Sequence, residues 1–200
     1  MRGPTAMPVT YRNRYGKTYF LHGGKTKTGK DKYYFSLKEQ GALADGIPDG
    51  YEVYENPHAQ VFLRKRLVTL LKEVEIETLD SSIKECASLK PYQYKIDYNK
   101  DTMTVYLLDD DFDKVVQTIN PHYKYDEKKK IDWAKRYGVY TAMMRFRLVD
   151  EKDRVFEAER YCFLGSIDEW ISIGAPGKLK PLARKYVRHL GKDSFYQIDL

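Results

Sequence analysis

Apolar and polar side chains alternate through residues 139–149 and again through 155–164, with the polar stretch Asp150-Glu151-Lys152-Asp153 between them. A period of two belongs to an extended chain whose side chains point alternately to opposite faces, so two such runs joined by a turn predict a long antiparallel hairpin. The same pattern recurs: residues 92–98 and 102–107 flank Asn99-Lys100, and residues 51–55 and 61–66 flank the turn-initiating Asn56-Pro57-His58. Apolar positions 71, 74, 79, 83, 86 and 87 instead keep helical spacing, with Glu73, Glu75 and Glu77 near the start, where carboxylates suit the positive end of the helix dipole. A short helix is expected over 109–119, opening on Asp109-Asp110-Asp111 and stopped by Asn120-Pro121, while 124–136 reads as a charged loop. Ser166, with Glu169 three residues on, reads as the capping box of another short helix carrying Trp170, and residues 176–190 as a basic amphipathic helix stopped by Gly191. Strands in runs and helices in runs, without regular βαβ alternation, predict an α+β fold with antiparallel sheets. We expect a β-rich basic module over 1–66, built on a three-stranded sheet. An α+β module over 67–200 follows, with the long hairpin and the terminal helix.

Register in the N-terminal sheet can be argued from its side chains. Residues 9–14, 17–22 and 32–37 are rich in β-branched and aromatic residues and are broken by Gly16 and by the loop Gly23-Gly24-Lys25-Thr26-Lys27-Thr28-Gly29-Lys30. A three-residue connection, Arg14-Tyr15-Gly16, places Tyr11 opposite Tyr19 and Val9 opposite Leu21 on one face. The other face then carries Thr10, Arg12, Thr18, Phe20 and His22, joined by Lys32, Tyr34 and Ser36. A two-residue connection would mix cations into the apolar face.

The net charge of +6 is not spread evenly. Lys+Arg minus Asp+Glu gives +5, 0, 0 and +1 over successive fifties, and residues 1–40 hold nine cations against only Asp31 and Glu39. Seven of the 18 tyrosines fall in the same region or just after it. A local positive field attracts phosphates or acidic proteins, and aromatic rings beside it can stack on bases. Composition excludes wholesale disorder, at 42% hydrophobic. No run approaches the roughly 18 apolar residues of a membrane helix, and no signal-peptide pattern opens the sequence, which predicts a cytoplasmic protein. Cys86 and Cys162 show neither metal-ligand nor disulfide-framework spacing.

The candidate site follows from these features. Arg12, Arg14, Lys17, Lys25, Lys27, Lys30 and Lys32 would track a polyphosphate backbone, with Phe20 and Tyr34 as stacking platforms. The predicted function is non-enzymatic nucleic-acid binding without a cofactor, and the alternatives are an adaptor whose basic module meets an acidic protein and a metal-dependent phosphodiesterase. Gly24 to Asp31 misses a phosphate-binding G-x-x-x-x-G-K-[ST] loop, because Asp31 stands where the Mg²⁺-holding hydroxyl belongs and a strand follows it. Asp97 to Leu108 fails as a calcium loop at Thr102 and Leu108. His22, His58, His122 and His189 lack ligand spacing and read as structural. Glu157 and Glu159 could serve a phosphodiesterase together with residues 109–113. Their alternation predicts instead that Arg145 and Arg147 answer them across the hairpin.

Overall fold

The computed structural model describes residues 7–109, 115, 116, 118, 126–164 and 167–198, with the backbone alone for 163, 164, 167 and 168. Its contacts divide the chain into two units: Met1–Leu67 with Lys135–Tyr137, and the remainder. The architecture is α+β with antiparallel sheets.

In the first unit, β1 (Thr10–Arg12), β2 (Thr18–Lys25) and β3 (Asp31–Ser36) form a sheet in that order. Tyr11 lies opposite Tyr19, and the Leu21 amide bonds the Val9 carbonyl, as the three-residue connection predicts. Gly16 supplies the positive φ of +75° that this turn requires. A second hairpin, β4 (Tyr51–Glu55) and β5 (Val61–Lys65), turns at Asn56, whose side-chain oxygen accepts from the amides of His58 and Gln60. The two hairpins are tied by polar bonds. Asn13 Nδ2 donates to the Ala59 carbonyl at 2.7 Å while its Oδ1 accepts from the Lys17 amide, and Tyr11 donates to Glu55. Asn13 is 4% exposed. Asn13→Ala leaves a buried carbonyl and a turn amide without partners, and we expect a loss of about 1–3 kcal/mol in this unit, read as earlier thermal unfolding of its strands.

In the second unit, β6 (Tyr94–Tyr98), β7 (Thr102–Leu108), β8 (Tyr140–Asp150), β9 (Val155–Leu164) and β10 (Ile167–Ser172) form one antiparallel sheet in the order β10-β9-β8-β7-β6. One face buries Met103, Val105, Met144, Phe146, Phe156 and Ala158 in the same core as α1 (Glu73–Cys86) and the C-terminal helix. The α1 contribution is Leu79 and Ile83, four residues apart on one stripe.

Three expectations are corrected. Of the loop expected over 124–136, residues 127–136 are helical: α2 (Glu127–Tyr137) opens on Asp126, whose carboxylate accepts from the Lys129 amide, and buries only Ala134 among its residues, while 124 and 125 lie outside the described residues. So narrow a contact leaves no apolar stripe to read, although the cap was legible. Ile167 to Ser172 is strand and not helix, because an open edge of β9 offers it six paired positions. A capping-box spacing cannot outweigh that ladder; Gly165 and Ser166 themselves lie outside the described residues. The last helix, α3 (Leu179–Val187), starts three residues late because β11 (Gly177–Lys178) first pairs with Phe156 and Val155 of β9. Most of the helix expected over 109–119, and His122, lie outside the described residues. No helix among the described residues is long and apolar enough to cross a membrane.

Candidate nucleic-acid interface

Strand pairing decides which cations share a face. Thr10 and Ser36 flank Phe20, and Arg12 lies opposite Thr18, while Tyr34 lies opposite His22 and Lys32 opposite Gly24. Arg12, Phe20, Lys32 and Tyr34 therefore stand on one side of the sheet, with Lys17 and the 26–30 loop at the two ends of β2. Arg12, Lys17, Lys27, Lys30, Lys32 and Tyr34 are exposed and Phe20 is half-buried. Eight strand residues span about 23 Å at roughly 3.3 Å per step, so the cations at the two ends mark out a track several phosphates long.

Two predicted contact residues are committed elsewhere. Arg14 turns inward, donating to the carbonyls of Asn56 and Pro57, with its Nη1 3.7 Å from Glu55. Its side chain is 15% exposed, and it clamps the two hairpins together. Lys25 points to the opposite face and pairs with Asp31 across the hairpin at 2.6 Å, a contact that raises the ammonium pKa. By contrast, no carboxylate among the described residues pairs with Lys17, Lys27 or Lys30. The loop bearing the last two is closed by its own bonds: Thr26 N to Lys30 O, Gly29 N to Thr26 O, and Lys30 N to Thr26 Oγ1.

Tyr34 stands on a built foundation. His22 is 4% exposed, stacks on the Tyr34 ring at 5.2 Å and 12°, and its Nε2 is 2.9 Å from the Lys38 carbonyl oxygen. Lys32 Nζ lies 5.3 Å from the same ring centroid. The sequence did not signal this support, since the 38–43 segment that covers His22 folds back from beyond β3, bridging at Leu43. Arg12 also borders a cleft of about 510 Å³ lined by Asn13, Arg14, Tyr15, Gly16, Arg136 and Tyr137, all of this unit.

No protein-family model, curated protein or solved structure matches the chain. Its chemistry must be read from its own side chains.

In the second unit, the carboxylates considered for a metal site are held by arginines. Glu159 is bonded by Arg145 through both oxygens, Glu157 by Arg147 and by the Ser172 hydroxyl, and Arg147 Nε lies 3.8 Å from Glu159. Direct cross-strand opposition of Arg145 with Glu159 and Arg147 with Glu157 is the arrangement their alternation predicted. The Arg145 guanidinium also lies 4.5 Å from the ring of Trp170, which packs edge-on to Tyr161 at 5.1 Å. Among the described residues no three metal-ligating groups cluster. Residues 110, 111 and 113 lie outside those described.

Proposed function

We propose that the first unit binds nucleic acid through its phosphate backbone and that the protein acts as a binding module rather than an enzyme. The observation that carries this reading is the division of charge. Residues 1–67 hold twelve Lys+Arg against six Asp+Glu, whereas residues 68–200 hold 23 of each, so the whole excess of +6 belongs to the first stretch. Arg12, Lys17, Lys27, Lys30 and Lys32 remain exposed after the internal pairs are set aside. Lysines on loops and a strand face neutralise phosphates without reading sequence. Tyr34 and Phe20 on the same face suit unpaired bases, which stack on any aromatic ring; single-stranded nucleic acid is the form this face fits best.

The test is a binding series with labelled single-stranded DNA, single-stranded RNA and duplex probes at two salt concentrations. Five phosphate contacts give a log–log salt slope of about −3.5 on single strands, so affinity falls on the order of 100-fold between 50 and 200 mM salt. Flat salt dependence, or retention of a protein partner after nuclease treatment with no probe binding, would overturn the reading in favour of an acidic protein partner.

A further inference from the structure

Strand β9 alternates strictly, with Glu157 and Glu159 on one face and Ala158, Arg160 and Cys162 on the other. The second face is the core side. Arg160 lies opposite Met144, just as Ala158 lies opposite Phe146 and Phe156 opposite Leu148, and these five apolar residues are all in the buried core. On its other flank Arg160 meets Ile171 of β10. A guanidinium therefore stands where the pattern calls for a hydrophobe. Arg160 is 5% exposed, and its Nε is sealed from solvent without a hydrogen-bond partner.

Four other arginines of this unit show what is missing. Arg145, Arg147, Arg154 and Arg184 each hold a glutamate. Among the described residues no carboxylate pairs with Arg160, since Glu157 and Glu159, its strand neighbours, project to the opposite face and are already taken. A buried guanidinium N–H with no acceptor is costly, and arginine cannot escape that cost by losing its proton. Lysine at this position could neutralise itself; arginine must be answered by something that accepts from it.

We infer that Arg160 is the anchor of a binding site for a small anion, one that presents two oxygens to the guanidinium fork: a carboxylate or an inorganic phosphate. The buried Met144, Ala158 and Cys162 and the half-buried Ile171 beside it supply a low-dielectric wall in which such a pair is strong.

The experiment compares thermal unfolding of the full chain and of Arg160→Met in chloride, acetate and phosphate at constant ionic strength. General salt effects on burial act on both proteins alike, so the difference between them isolates the guanidinium. Wild type is expected to gain about 5 °C between low and 100-fold higher concentration of the anion that fits, and Arg160→Met to lose that gain. A gain in acetate alone identifies a carboxylate ligand, and one in phosphate alone identifies phosphate. Parallel responses of the two proteins in every anion overturn the site. Should Arg160→Met fail to fold, Arg160→Lys keeps the charge but lacks the fork. The same comparison then applies, with a reduced gain in support and an unchanged one against.

Discussion

Lys17→Glu, Lys27→Glu and Lys30→Glu together are expected to lower affinity for single-stranded probes by at least about 100-fold near 100 mM salt, and to cut the salt slope by roughly 2. These three lysines stand at the two ends of β2, are exposed, and lack carboxylate partners among the described residues. They sit on connections whose backbone bonds do not involve their side chains, so the unit keeps its fold and the loss reads binding alone. Lys25→Gln supplies the matching control. Lys25 lies in the same loop region and carries the same charge, but it faces away and is held by Asp31, so its removal is expected to change affinity by less than about threefold. Equal losses from Lys25 and from the other three would show that net charge, and not this face, governs binding. Competition titrations at two salt concentrations decide between the outcomes.

Arg154→Met is expected to destabilise the second unit by about 3 kcal/mol at neutral pH. Arg154 closes the turn between β8 and β9 and reaches the start of α1. Its Nε and Nη2 bond the two oxygens of Glu75 at 2.9 and 2.5 Å, and Nη2 also reaches the Leu70 carbonyl at 3.1 Å. Glu75 in turn accepts from the Lys72 amide, capping the helix with the same carboxylate. Both side chains are largely buried, at 11% and 18% exposed, so removing the cation strands a buried charge. Burial pulls the Glu75 pKa upward, but the bonds from Arg154 and the Lys72 amide outweigh it and hold the carboxyl below its ordinary value of 4.5. A folded-state pKa below the unfolded one means the stabilisation is complete above about pH 4.5 and is lost as pH falls through the folded value. Melting curves of wild type and Arg154→Met should therefore lie well apart at pH 7 and draw together as the pH falls below 4.5 and through the folded-state value; a gap that persists in acid would mean that the arginine acts through packing.

Local chemistry was legible in the sequence wherever the partners were near each other along the chain. Tyr11 facing Tyr19 follows from one glycine and three intervening residues, and the Arg145–Glu159 and Arg147–Glu157 pairs follow from alternation around a single turn. What depends on distant segments was not. Arg14 looks like any surface cation in the sequence, because its acceptors on Glu55, Asn56 and Pro57 arrive from more than forty positions away. The strand Ile167–Ser172 lost to a helix reading for the same reason: its ladder partner lies in β9, whereas its capping-box spacing is local. For the candidate interface, the sequence grouped these cations by their nearness along the chain but did not separate Arg12 and Lys32 from Lys25, since one step along a strand exchanges the faces.

The hairpins of the first unit are tied by bonds from Asn13, Arg14 and Tyr11, and its buried apolar residues among those described are Leu21, Ala59 and Val61, against 21 in the core of the second. So slight an apolar interior leaves little margin against unfolding, and any molecule that grips only the folded form adds directly to that margin. Under the proposed function, recognition and cohesion in this unit would be one equilibrium, a bound polyanion holding together from outside what Leu21, Ala59 and Val61 hold from within.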